Sequence, residues 1–432
     1  MIRKVSYPTP ETWPELVRRP VRQFDEIEPA IRQVFERVRQ EGDQALKAYT
    51  AQFDGVQLDR LTVSAEEMAE AADRVPTELK AAIQVAEGNI RRFHAGQAEE
   101  VRKVETMPGV TCWRKSVGID RVGLYIPGGT APLFSTLLML GVPAQLAGCR
   151  QIVLCTPPGK DGRIHDSILY TASLLGLSTV IKVGGSQAIA ALTFGTETVP
   201  AVDKIFGPGN QYVTVAKQMV GRYGVAIDMP AGPSEVLVIA DATADPDFVA
   251  ADLLSQAEHG ADSQAVLFTD SERLLEEVNL CLERQLRQLP RRDLTAQALQ
   301  ASMAVLLRDG EEMIRFSNHY APEHLILAVR DPEQLASRVI NAGSVFLGHY
   351  SPESAGDYAS GTNHTLPTNG YARNYSGVSL DSFVKKITFQ HLTPEGLQQI
   401  GRTVEQMAAA EGLQAHKNAV SIRLEKIRKG NS

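Results

Sequence analysis

From residue 121 onward the sequence alternates short β-rich runs with stretches long enough for a helix, and this alternation points to parallel, doubly wound sheets. One series of runs lies at 122–126, 152–155, 180–183 and 204–206; a second lies at 236–239, 265–268, 304–306, 325–329 and 344–347. Helical segments such as 248–258 and 273–287 separate the second series, so two α/β units suit the length better than one. The seam at 230–233, in DMPAGPSE, suits a crossing between them because two prolines and a glycine extend neither neighbouring element. Residues 27–103 carry helical spacing instead, in Ile31, Val34, Val38 and later Ala82, Val85, Ile90. After Gly370 the strands thin out, and Thr393 with Pro394 starts a helix whose periodic residues are Leu397, Ile400, Val404 and Met407.

Composition removes several classes of function. With 44 basic against 51 acidic residues the formal net charge is −7, which attracts no phosphate backbone, so nucleic acid is not an expected partner. The opening MIRKVSYPTPETW has no apolar run behind its basic residues, which argues against a secretory signal. The most apolar stretch, 131–148, is interrupted by Pro132, Pro143, Ser135, Thr136 and Gln145, and reads as a buried helix, not a membrane span. Cys112, Cys149, Cys155 and Cys281 show no paired metal spacing. Six extended residues put Cys149 and Cys155 roughly 20 Å apart, beyond the about 7 Å that a disulfide spans. A reducing cytoplasm fits this pattern.

Four segments offer polar chemistry. In LLSQAEHGAD, Gln256 and His259 share one face at the end of a helix closed by Gly260; the pair suits a metal, and the same histidine also suits a helix cap. The polar loop 350–366 holds Asp357 and His364, as ligand and substrate contact or as turn residue and solvated side chain. Glu323 and His324 stand at the edge of an apolar strand, where imidazole accepts a proton near pH 7 and a carboxylate activates water; such a pair is also common without chemistry. His416 follows Glu411 on the last helical stretch and, taken alone among alanines, reads as a surface residue whose claim as a ligand depends on the other motifs. Glycine-rich turns follow three strands, in YIPGG ending at Gly129, VGGSQ at 183–187 and FGPGN at 206–210, and suit either a phosphate or tight left-handed turns. None is the G-x-G-x-x-G fingerprint.

Taken in order, VGLYIPGGTAPLFST, VGGSQAIAAL, DKIFGPGNQYVT, DMPAGPSEVLVIAD, DLLSQAEHGADSQ, APEHLIL, SPESAGDYASGTNHTLPT and AAAEGLQAHKNAV resemble the histidinol dehydrogenase family, from about residue 25 to the end. The resemblance implies a four-electron oxidation of L-histidinol to L-histidine through L-histidinaldehyde, using two NAD, as the last step of histidine biosynthesis. It implies a zinc ion on Gln256, His259, Asp357 and His416, with Glu323 activating water and His324 as general base. Ser234, His364 and Glu411 would join the metal ligands and His324 in holding substrate, and Tyr125, Gln187 and Asn210 would contact the coenzyme. A cytoplasmic homodimer with shared active sites follows, the partner subunit giving His416 and Glu411.

The expected architecture is two Rossmann-like doubly wound α/β domains with a helical amino-terminal region and a helical carboxy-terminal tail. Residues 1–24 form an arm; 25–120 with 238–378 form the first domain, carrying most metal and catalytic residues; 121–237 form the coenzyme-side domain; 379–432 form the tail. Two rival chemistries remain on the sequence. A cysteine mechanism would use Cys112 or Cys149 as nucleophile, and a zinc hydrolase would use the same metal without coenzyme.

Overall fold

A computed structural model describes residues 2–19, 24–128, 131–230 and 232–430, so Gly129 of the first glycine turn and Ala231 of the interdomain seam lie outside the described residues. The chain divides into two units, 1–97 with 119–383, and 98–118 with 384–432.

The first unit holds two parallel sheets. The smaller runs in the order Thr179–Ile181, Gln151–Cys155, Arg121–Tyr125, Lys204–Phe206, Ala226–Ile227. The larger runs Arg3–Ser6, Met303–Leu306, Gln264–Thr269, Glu235–Ala240, His324–Ala328, Ser344–Leu347. From Arg121–Tyr125 in the smaller sheet and, leaving aside the edge strand Arg3–Ser6, from Glu235–Ala240 in the larger, the chain winds one way and then returns to the other side, the doubly wound pattern that the alternation predicts.

Strand residues alternate between two cores, as the pleat demands. On the smaller sheet, Val153, Cys155, Ile181 and Ile205 face helices Phe24–Glu41, Asp43–Phe53, Gly185–Phe194 and Gln211–Met219. Val122, Leu124, Leu154 and Val180 face helices Ala65–Arg74, Thr77–Ala95, Phe134–Leu146 and Asp166–Leu174 on the other side. Phe134–Leu146 is apolar all round and buried from Ser135 to Ala144, the reading given to the 131–148 stretch. Ala65–Arg74 begins with a capping box: the Ser64 hydroxyl accepts from the Glu67 N–H, and Glu67 Oε2 accepts from the Ser64 N–H at 2.9 Å. The other oxygen of Glu67 takes the ammonium of Lys182 at 2.5 Å, tying this helix to the end of the edge strand.

Four expectations need correction. The expected domain joins 25–120 to 238–378, yet the helices within 25–95 bury against the sheet of 121–227; amphipathic spacing shows that a face is covered but not by what. In Thr77–Ala95 the inward residues are Ile83, Ala86 and Ile90, while Val85 faces solvent. The arm 1–24 contains an edge strand, Arg3–Ser6, in register with Met303–Leu306. The stretch 379–432 is not wholly helical: Val384–Leu392 pairs antiparallel with Val110–Gly118, which pairs with Val104–Met107. Val104–Met107 and Val384–Leu392 are largely exposed and Val110–Gly118 is mostly half-buried without alternation, so no period-2 apolar signal marks them.

That three-stranded sheet belongs to the second unit, with helices Pro394–Ala410 and Gln414–Gly430. Thr393 caps the first by accepting from Gly396 N–H, as expected of a Thr-Pro start, and Gly401 lets Leu424 close on it. Among the described residues no helix is long and apolar enough to cross a membrane.

Candidate active site

A cleft of about 150 Å³ opens where the amino ends of the larger sheet's strands meet the carboxy ends of the smaller sheet's. Each wall has a local cause. Glu323 and His324 enter where helix Gly310–Tyr320 ends in Ala321, a non-glycine residue at φ 54°, and Pro322 turns the chain into the strand His324–Ala328. Residues in succession on a strand point to opposite faces; because Glu323 precedes the strand, both side chains reach the cleft. Ser234 stands just before the neighbouring strand. Gln256 and His259 lie at the carboxy end of helix Pro246–Ala257, whose Pro246 start is capped by Asp245 and whose Val249, Leu253 and Ala257 are buried. Asp357 sits on a short helix, Glu353–Tyr358, where the sequence reading has a loop, and His364 follows in irregular chain.

The interactions inside define proton positions. The Glu235 carbonyl lies 3.2 Å from His324 Nδ1 and can only accept, so Nδ1 carries a proton. Nε2 then faces Asp357 Oδ1 at 3.5 Å and has no hydrogen-bond partner. The Glu235 N–H donates to Glu323 Oε2 at 2.8 Å, and that oxygen lies 3.6 Å from His324 Nδ1. His364 is oriented likewise: Nδ1–H donates to the Asp357 carbonyl at 2.8 Å, and Nε2 accepts from the Thr136 hydroxyl at 2.9 Å.

Burial pushes the Glu323 carboxyl up to about 8. Burial opposes charge on His324 as well, but the Glu353, Glu323 and Asp357 carboxylates outweigh it and raise the imidazole to about 10. Loss of hydration lowers His259 and His364. For Asp357, burial is outweighed by its contact with His324 and by the nearby His364 and His259, which hold it below the usual carboxylate range.

Glu353 is the residue the sequence reading missed. It is buried, shares a face with Asp357 four residues on, and its Oε2 has no partner; His259, Glu353 and Asp357 present ligand atoms within 4.8 Å of one another. Its signal was the i, i+4 carboxylate spacing in ESAGD. Glu353, Asp357 and His259, with both amide atoms of Gln256 buried and unpartnered, form an oxygen- and nitrogen-rich set that suits a divalent cation.

The floor adds a buried ion pair. Lys217 Nζ lies 2.5 Å from Asp228 Oδ1 and donates to the Gly207 carbonyl at 2.7 Å, while Gly207 N–H donates to Asp228 Oδ2 at 2.8 Å. Gly207 has φ 124° and packs so tightly on the Tyr125 carbonyl that no Cβ fits. Lys217→Met leaves the Asp228 charge buried alone and is expected to cost about 3–5 kcal/mol, read by urea unfolding.

A second cavity, of about 630 Å³, brings Tyr125, Gln187 and Asn210 together beyond the carboxy ends of the smaller sheet. The Tyr125 hydroxyl accepts from Gly185 N–H at 3.1 Å, at the start of helix Gly185–Phe194; burial raises this phenol to about 12. Asn210 caps helix Gln211–Met219 by accepting from Val213 N–H at 3.1 Å, so it has a structural duty as well. Glu411 and His416 belong to the second unit, at the end of one helix and the first turn of the next, both exposed. No cysteine lines the described cleft; burial pushes the Cys149 thiol up to about 11 and raises Cys155 further, which disfavours a thiolate nucleophile there.

The family model for histidinol dehydrogenase matches residues 17–424. The chain belongs to the histidinol dehydrogenase family. A histidinol dehydrogenase of Bacteroides thetaiotaomicron is 59% identical over 99% of this chain and 100% of its own length. One of Mannheimia succiniciproducens is 55% identical over 93% of this chain and 94% of its own. The crystal structure of histidinol dehydrogenase from Elizabethkingia anophelis superposes with TM-score 0.97, at 57% identity and 99% coverage of both chains. This family member is therefore an oxidoreductase of histidine biosynthesis, and its two-sheet architecture is the family's.

Proposed function

We propose that this chain catalyses the NAD-linked, zinc-dependent, four-electron oxidation of L-histidinol to L-histidine through L-histidinaldehyde, consuming two NAD and completing histidine biosynthesis in the cytoplasm. The observation that carries the metal reading is the convergence of unpartnered donors, the Gln256 amide and Asp357 Oδ1, beside His259 in one cleft. Gln256, His259 and Asp357 would hold the zinc with His416 of the partner subunit in a homodimer. Such an ion supplies positive charge that positions the substrate's nitrogen and oxygen and offsets the surrounding carboxylates. With that charge offset, His324 is free to accept protons.

In the first oxidation His324 Nε2 takes the proton of the substrate hydroxyl while hydride leaves its carbon for NAD. Glu323, made more basic by burial, then takes a proton from water adding to the aldehyde carbon. Once His324 has passed its first proton to solvent, it would take a hydroxyl proton of the hydrate in the second oxidation as a second hydride departs for the second NAD. Ser234, His364 and Glu411 of the partner subunit would orient substrate together with the metal ligands. The grouping of Tyr125, Gln187 and Asn210 around one cavity supports a coenzyme there and weighs against a hydrolase.

Incubation with L-histidinol and NAD is expected to yield two NADH per histidine, with loss on chelation and recovery with zinc. Histidinol turnover without NADH would overturn the reading. Glu353→Gln is expected to weaken zinc binding about 10–100-fold, measured by chelator competition, since a buried carboxylate so close to the ligands stabilises a cation even when it does not touch it.

A further inference from the structure

One carboxylate in the second cavity has no assigned role. Asp54 follows the last turn of helix Asp43–Phe53, where its N–H donates to the Thr50 carbonyl at 2.9 Å and Gly55 at φ 72° turns the chain away. Its side chain lines the cavity beside Phe53 and Tyr212, and Oδ2 is shut off from solvent with no hydrogen-bond partner. Burial without a compensating cation raises this carboxyl above its ordinary range. No lysine or arginine lines the cavity among the described residues. At the other wall, the Gly185 N–H is taken by the Tyr125 hydroxyl, and the N–H groups of Ser186 and Gln187 that follow in the first helical turn are suited to a pyrophosphate; the Gln187 amide oxygen is buried and unpartnered.

Of the polar groups a dinucleotide carries, a ribose hydroxyl next to its base is the kind that matches a lone, half-buried acceptor in a cavity with an apolar wall of Ile31, Val34 and Phe53. An acceptor carboxylate there binds a 2′-hydroxyl and repels a 2′-phosphate, which would need a cation. We propose that Asp54 accepts a hydrogen bond from the adenosine 2′-hydroxyl of the coenzyme and sets the preference for NAD over NADP. The proposal rests on the coenzyme reading of this cavity.

The test uses the full-length protein and follows binding of NADH, NADPH and 2′-deoxyadenosine NADH by fluorescence, without histidinol. The wild type is expected to bind NADH at least about tenfold more tightly than either analogue. Asp54→Ala is expected to lose about 10–100-fold in NADH affinity, the cost of a hydrogen bond to a charged group, and to bind NADH and the deoxy analogue alike. Asp54→Asn keeps shape and loses charge, so it should narrow the gap between NADH and NADPH. If the wild type prefers NADH and Asp54→Ala keeps both that affinity and the deoxy discrimination within about twofold, Asp54 has no such role. If the wild type binds no NADH at all, the coenzyme reading falls and the proposal falls with it.

Discussion

His324→Asn lowers kcat by about 10²–10⁴-fold with L-histidinol and with L-histidinaldehyde alike, while NADH affinity stays in place. The Nδ1–H of His324 is committed to the Glu235 carbonyl, which leaves Nε2 as its proton acceptor. Asparagine can reproduce the first contact and cannot supply the second. Glu323→Gln behaves differently, because the amide keeps the oxygen that accepts from Glu235 N–H but no longer takes a proton from water. In a single-turnover experiment it should release the first NADH normally and stall before the second. Equal slowing of both phases by Glu323→Gln would sink the division of labour between the two residues.

His259→Ala and His416→Ala proteins, each inactive alone, should regain about a quarter of wild-type activity after subunit exchange in equal amounts. Half of the randomly formed dimers are mixed, and in each of these one site combines an intact His259 from one subunit with an intact His416 from the other. If both histidines of a site came from the same chain, no mixed dimer would hold an intact site and activity would stay at zero. In this chain His416 is exposed, with its ring available to a second subunit.

How much of this was legible depended on whether a residue's purpose is local. The alternation of apolar runs and helices reports burial on both faces, so both parallel sheets could be read from sequence. Gln256, His259, Glu323, His324, Asp357 and His364 stood out as reactive types in polar or boundary segments, and the fold gathers all six in one cleft. Groups that act through distant partners gave no such signal. Arg19 lies in a segment with no visible motif, yet its guanidinium holds both oxygens of Glu235 at 2.6 and 3.0 Å, stacks 3.9 Å above the Tyr320 ring and donates to the Tyr320 carbonyl. Through the backbone of Glu235 it steadies the groups that hold Glu323 and His324. The Lys217–Asp228 pair is hidden for the same reason: its halves lie eleven positions apart, and both bond to the turn at Gly207, which precedes them in the chain. The strand Val384–Leu392 was missed because Lys385, Lys386, Thr388 and Gln390 give it no buried face.

The pairing of Arg3–Ser6 with Met303–Leu306 bears on how the chain is made. Synthesis from the amino end delivers most of the smaller sheet's two cores within residues 24–229, which can begin to collapse while the rest is still being translated, with Val378 and Phe383 joining from much later in the chain. The first strand cannot join it. It waits as a bare edge until its partner emerges, and Arg19 waits for Glu235 and Tyr320. A product cut short after residue 227 would therefore leave the strand Arg3–Ser6 with no sheet to join, and its brevity and its Arg3 and Lys4 charges are what would keep that bare edge from pairing with other chains.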